Sequence, residues 1–134
     1  VYLVDTNVLS EVVKRAPHPG VLAWLARQSA VKVSVVSVFE LEYGIARAPP
    51  ARRPLLVEWL EGLLASPAHQ FVPLNVGVAR AAGELRRRAE EAGRPRPLAD
   101  LLIAATALTE GAVVVTRNVA DFEGLGVPLL DPFG

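Results

Sequence analysis

Short apolar runs alternate with amphipathic stretches along the whole chain. Tyr2-Leu3-Val4 is an aromatic and β-branched run that ends in Asp5, which predicts a buried strand with a polar residue at its carboxyl end. Thr6 or Asn7 then caps a helix to about Lys14. After Pro17, Pro19 and Gly20, the positions Val21, Leu22, Trp24 and Leu25 predict a second, short amphipathic helix. Val31 to Val36 reads as a strand. Ser37-Val38-Phe39-Glu40 opens a helix that carries Leu41, Tyr43 and Ile45 and stops before Pro49-Pro50. Leu55, Leu56, Trp59, Leu60, Leu63 and Leu64 lay a helical stripe along residues 52–65. Phe71 to Leu74 is a short strand. Asn75 caps a long helix to about Ala92, closed by Gly93 and Pro95. Leu98, Leu101, Leu102, Ala105 and Leu108 make another helical stripe, ended by Gly111. Ala112 to Val115 and Val127 to Leu130 are the last two strands.

Strands alternating with helices predict an α/β fold with a five-stranded, mostly parallel sheet flanked by helices. No repeat, low-complexity tract or long linker divides the chain, so residues 1–134 are expected to form one domain. No apolar run reaches ~18 residues, and no secretory signal pattern is visible at the start of the sequence. The expectation is a cytoplasmic protein without a membrane partner.

Composition narrows the chemistry. Cysteine is absent, which excludes disulfides, thiol catalysis and thiolate metal sites. His18 and His69 are the only histidines and fall in loop-like contexts. Lys+Arg and Asp+Glu are both 14, so bulk positive charge cannot drive nucleic-acid binding; a local patch would be needed. Only Lys14 and Lys32 are lysine, and the other basic residues are arginines. The only aspartates are Asp5, Asp100, Asp121 and Asp131.

Four acids carry the functional signal. Asp5 ends the first strand, and Glu40 lies in the first turn of the helix after the second. Asp100 opens the Leu-rich helix, and Asp121 follows the Val113-Val114-Val115 strand by six residues. In a parallel sheet all four fall at the carboxyl edge, where α/β proteins bind ligands. Each acid also has an ordinary structural reading. Asp5 suits a turn, Glu40 completes a capping box with Ser37, Asp100 favours a helix dipole, and Asp121 caps a local turn. Together they are harder to dismiss. Two carboxylates ~5 Å apart repel by about 3 kcal/mol at an effective dielectric near 20. No lysine or histidine adjoins any of them in sequence. A divalent cation would relieve the repulsion, and oxygen-only donors suit magnesium or manganese. The expected chemistry is metal-assisted phosphodiester hydrolysis.

Four blocks then match a known family in order: Val4-Asp5-Thr6-Asn7-Val8-Leu9-Ser10-Glu11, Ser37-x-x-Glu40-Leu41-x-x-Gly44, Leu98-Ala99-Asp100-Leu101-Leu102-Ile103-Ala104-Ala105-Thr106-Ala107 and Val115-Thr116-Arg117-Asn118-x-x-Asp121-Phe122. Nearly the whole chain resembles the PIN-domain family, and within it the VapC-type toxins of toxin–antitoxin pairs. The resemblance implies a magnesium-dependent endoribonuclease on a parallel five-stranded sheet. It also implies a homodimer, restrained by a small VapB-type antitoxin. Its acidic quartet falls on Asp5, Glu40, Asp100 and Asp121, the acids already singled out.

Asp5, Asp100 and Asp121 are expected to bind metal, with Glu40 orienting water or completing a second metal position. Thr6, Asn7, Thr116 and Asn118 are expected supports. Arg117, Arg94 and Arg96 are candidate RNA contacts, because guanidinium suits phosphate. Arg86 to Arg88 interleave with Glu84, Glu90 and Glu91 and read as a solvated face. Trp24 and Trp59 lie on apolar stripes. Those stripes, at residues 21–25 and 55–64, are candidate surfaces for the second copy or the antitoxin. The alternative is a PIN-like module that binds RNA or protein without turnover, and the intact quartet argues against it. A phosphatase-type site would place a lysine beside the acids, and none follows Lys32.

Overall fold

The computed structural model describes residues 1–134. The elements in order are β1 (Tyr2–Val4), α1 (Thr6–Glu11), α2 (Pro19–Ala26), β2 (Val31–Ser34), α3 (Val35–Ala46), α4 (Arg53–Ala65), β3 (His69–Val72), α5 (Val76–Glu91), α6 (Leu98–Glu110), β4 (Val113–Val115), α7 (Val119–Phe122) and β5 (Leu129–Leu130). The five strands form one sheet in the order β3-β2-β1-β4-β5, and every pairing is parallel. Leu3 of β1 pairs with Lys32 of β2 on one side and Val114 of β4 on the other.

Successive strand residues point to opposite faces, so each β-branched strand feeds two cores. Leu3 and Val114 join α5 and α6 in one cluster with Val78, Leu85, Leu101 and Ile103. Val4, Val33 and Val115 join α1, α2, α3 and α4 in the other, with Val8, Trp24, Leu41 and Leu60. α5 meets the sheet through Val78, Ala82, Leu85 and Ala89, a 3.6-residue stripe. α6 is buried almost all round, and Ala104, Ala105 and Ala107 let it lie close to its neighbours. The Thr106 hydroxyl, fully buried, donates to the Leu102 carbonyl (2.7 Å), so burial leaves it no orphaned donor. That central helix carries Asp100 in its first turn.

Several boundaries differ from the sequence expectation, each for a local reason. Asp5 itself caps α1: its carboxylate accepts the Thr6 N–H, and the helix ends at Glu11 rather than near Lys14. The β-branched run 31–36 breaks at Ser34, whose hydroxyl accepts the Val36 N–H and starts α3 two residues early. Ser37 is therefore inside α3 and does not form a capping box with Glu40. Asn75 caps α5 as expected, accepting the Val78 N–H at 2.9 Å. Gly111 closes α6 with φ of 62°, a left-handed turn that suits glycine. The single-turn helix α7 has no counterpart in the sequence pattern. No helix is long and apolar enough to cross a membrane.

Candidate active site

The carboxyl ends of β1, β2 and β4 and the start of α6 meet at one edge. Asp5 leaves β1 still paired to β4, its N–H donating to the Val115 carbonyl (2.9 Å). Its side chain is buried, and both of its oxygens accept hydrogen bonds. Oδ1 accepts from the Thr6 N–H (2.8 Å), and Oδ2 accepts from the Thr116 hydroxyl (2.8 Å) and Asn7 Nδ2 (3.2 Å). Thr6 turns its hydroxyl the other way, onto Glu40 Oε1 at 2.7 Å and Ser37 Oγ at 2.9 Å. One residue thus links the acid of β1 to the acid of α3.

Asn7 binds the third segment. Its Oδ1 accepts the Arg117 N–H at 3.1 Å, while its Nδ2 also reaches Thr116 Oγ1 at 3.4 Å. Thr116 Oγ1 in turn accepts the Asn118 N–H at 3.0 Å. Asn118 therefore supports the site through its backbone, and its side chain does not cap α7. Ser37, the buried partner of Thr6, went unassigned in the sequence reading because the capping-box pattern accounted for it. Glu11 was also missed. Its Oε2 accepts the His18 N–H (2.9 Å) and its Oε1 lies 2.9 Å from Lys14 Nζ, closing the loop after α1. The Lys14 contact and then the His18 N–H hold its carboxyl below the ordinary range.

Asp100 and Asp121 join the others through charge rather than hydrogen bonds. Asp100 is pushed up to about 6 from an ordinary 3.8, first by burial and then by the charges of Asp5, Asp121 and Glu40, with Arg96 opposing. Burial likewise raises Asp5, against the hydrogen bonds from Thr116, Thr6 and Asn7 that favour its charged form. None of the four acids forms an ion pair. Lys32, in β2, is committed to Glu110 at the end of α6.

The donors fit a hard divalent cation in kind, being oxygens that burial and mutual repulsion leave short of positive charge. No three carboxylates or imidazoles stand close enough to cage an ion by themselves.

Arg94 and Arg96 both reach backbone carbonyls around α7: Arg94 donates to Ala120, and Arg96 to Asp121 and Glu123 as well as back to the Arg94 carbonyl. Arg117 lies with its guanidinium 4.7 Å from the centre of the Phe133 ring. Arg86 and Arg87 form exposed pairs with Glu84, Glu90 and Glu91 along α5, the solvated face anticipated from their spacing.

An all-parallel sheet with unpaired acids gathered at its carboxyl edge defines a class of α/β domains that hold a charged ligand or metal at the strand ends. Within that class, residues 2–125 match the PIN domain model, and the chain belongs to that family. It is 35% identical to the VapC ribonuclease Y4jK of Sinorhizobium fredii over 135 residues, covering 98% of this chain and 96% of that protein. It is 33% identical to toxin FitB of Neisseria gonorrhoeae, covering 98% and 97%. The crystal structure of FitAcB from Neisseria gonorrhoeae superposes with a TM-score of 0.90 at 31% identity, over 99% of each chain.

Proposed function

We propose that this protein is a magnesium- or manganese-dependent endoribonuclease and the toxin of a VapBC-type pair. The observation that carries the hydrolytic reading is the gathering of Asp5, Glu40, Asp100 and Asp121 at one edge of the sheet, near enough for the other three to raise the proton affinity of half-buried Asp100, with no cation paired to any of them. A cluster arranged so is costly by itself and gains from a divalent ion. The similarity to a VapC ribonuclease and to toxin FitB supports RNA as substrate and toxin as role.

Asp5, Asp100 and Asp121 would hold the ion between them, directly or through its bound waters. When bound, it supplies a water of lowered pKa and neutralises charge on the phosphoryl group. Thr116, Asn7 and the Thr6 N–H orient Asp5 and favour its charged form against the opposing effect of burial. Glu40 is fixed through Oε1 by Thr6, which leaves Oε2 to accept a proton from water at the phosphate. Asn7 and Thr116 hold the segment after β4 against β1, keeping Asp121 near the other acids.

Two apolar surfaces serve the expected protein partners, an antitoxin and a second copy of the chain. One is a groove of about 470 Å³ lined by Leu9, Val12, Leu25, Trp59 and Leu63, which includes the stripes noted in the sequence. The other centres on Phe39 and Leu98, 71% and 62% exposed, beside the acidic edge.

The test is RNA cleavage by purified protein in magnesium or manganese, compared with chelator and with Asp5→Asn. Cleavage is expected only for wild type with metal. Equal cleavage by Asp5→Asn would refute the reading.

A further inference from the structure

The connector between α5 and α6 is unusually well tied down. Gly93, at φ of 71°, ends α5 with two reversed hydrogen bonds: Arg94 N–H to Ala89 O at 2.9 Å and Gly93 N–H to Glu90 O at 3.0 Å. Arg96 then stands between Pro95 and Pro97, whose rings fix the backbone on either side. Directly after Pro97 comes the first turn of α6, which bears Asp100.

Opposite lies α7, four residues long and bearing Asp121. A single turn has no intrinsic stability in water. Phe122, fully buried, anchors it from beneath. On its outer side, the carbonyls of Ala120, Asp121 and Glu123 receive no backbone N–H. The arginines supply the missing donors. Arg96 Nε donates to Asp121 O at 2.8 Å and Nη2 to Glu123 O at 2.6 Å, while Nη1 turns back to Arg94 O. Arg94 Nη2 adds Ala120 O at 3.0 Å. All three Arg96 nitrogens are therefore engaged, each on a different carbonyl. A planar guanidinium fork presents donors in that arrangement, and three of its five N–H groups are spent on it.

We propose that Arg96 is a positioning residue for the acidic site: it laces the turn carrying Asp121 to the connector that introduces Asp100, and so fixes the separation of the two carboxylates. The proposal rests on the hydrolytic reading above. It assigns Arg96 to holding the site, not to gripping RNA. Arg94 is the auxiliary bond in the same latch.

The test compares Arg96→Ala, Arg96→Lys and Arg94→Ala with wild type in three measurements. In metal-free protein, hydrogen exchange at the α7 amides should accelerate about tenfold or more in Arg96→Ala, while the core amides stay unchanged. Manganese affinity, measured by calorimetry without RNA, should weaken about five- to tenfold. At saturating metal, kcat should fall about tenfold to a hundredfold with KM within about threefold, as expected for misplaced reacting groups. Arg96→Lys keeps the charge but not the fork, and should resemble Arg96→Ala. Arg94→Ala, which removes one bond, should show the same changes in smaller degree and serves if Arg96→Ala does not fold. The proposal is overturned if α7 exchange and manganese affinity are unchanged. It is equally overturned if KM rises with kcat intact and the salt dependence of RNA binding drops by about one phosphate contact. Wild type that fails to cleave RNA, or Asp5→Asn that cleaves it, would remove the hydrolytic reading. The exchange and manganese measurements would still judge the latch by itself.

Discussion

Replacing Asp100 by asparagine should stabilise the metal-free protein at neutral pH. Asp100 is half-buried beside three other acids, and its folded-state pKa of about 6 lies well above the ordinary 3.8. Between those two values the folded protein binds more protons than the unfolded chain. Stability must then fall as pH rises across that window. The favourable contribution is complete below about pH 4 and is lost by the time pH passes about 6. A shift of ~2 units corresponds to about 3 kcal/mol, and partial exposure screens it to about 1–2 kcal/mol. Asparagine keeps the shape and carries no charge, so it escapes this penalty.

The assay is thermal unfolding in chelator from pH 4 to 8, for wild type and Asp100→Asn, then again with magnesium. For a chain of 134 residues, 1–2 kcal/mol corresponds to about 3–8 °C in Tm. Asp100→Asn should melt higher than wild type at pH 7.5 in chelator by about that amount, and the two should converge near pH 4. Asp5 contributes its own slope of the same sign in both proteins, so the difference between the curves is the quantity to read. Magnesium should raise the Tm of wild type more than that of the variant. The reasoning fails if Asp100→Asn is the less stable protein at pH 7.5 in chelator. In that case the carboxylate is a structural element of the α6 start and not one of a mutually repelling set.

Two other substitutions probe different parts of the molecule. Thr116→Val removes the hydroxyl that donates to Asp5 and accepts from Asn118, at a site with no solvent access. It should cost about 1–3 kcal/mol in urea unfolding. It should also move the acidic limb of the pH–rate profile upward, because the lost bond favoured charged Asp5. An unmoved limb would show that Asp5 does not titrate in that profile. Phe39→Glu places a charge in the exposed apolar patch with Leu98. If this patch seats the proposed second copy, light scattering should report a shift from dimer to monomer with Tm changed little, as for most surface positions. An intact dimer would assign the contact between copies to another face.

Much of this fold was legible because the signals were local and redundant. Asn75 before the Val78-Ala82-Leu85-Ala89 stripe marks α5 unambiguously, and Gly111 marks the end of α6. The four acids could be grouped without coordinates because parallel strands put every strand-to-helix turn on one edge. What escaped was decided by particular hydrogen bonds, most of them between distant residues. The run Val31 to Val36 is rich in valine on both sides of Ser34, and the Ser34 hydroxyl on the Val36 N–H marks where strand becomes helix. Ser37 has the spacing of a cap residue but faces Thr6, 31 positions away. The helix α7 has too few residues for any periodicity, and its outer carbonyls are satisfied by arginines 25 to 27 positions earlier.

Zero net charge takes on a more specific meaning once the partners are known. Arginines dominate the basic residues, and the sequence alone suggested that several of them offset the acids by facing phosphate. Within the chain several of them already have partners. Arg94 and Arg96 are bound to carbonyls, Arg86 and Arg87 to glutamates, and Arg117 lies over an aromatic ring. Arg96 still tempers Asp100 through its charge, but it forms no ion pair with any of the four acids. The edge is therefore electronegative in the metal-free protein, and like charge disfavours a phosphodiester there as it disfavours ionised Asp100. In the proposed reaction, the divalent ion has two jobs that cannot be separated: it relieves the acids and it makes the edge hospitable to RNA. Arg94 and Arg96 complete this arrangement indirectly, by holding the turn that bears Asp121.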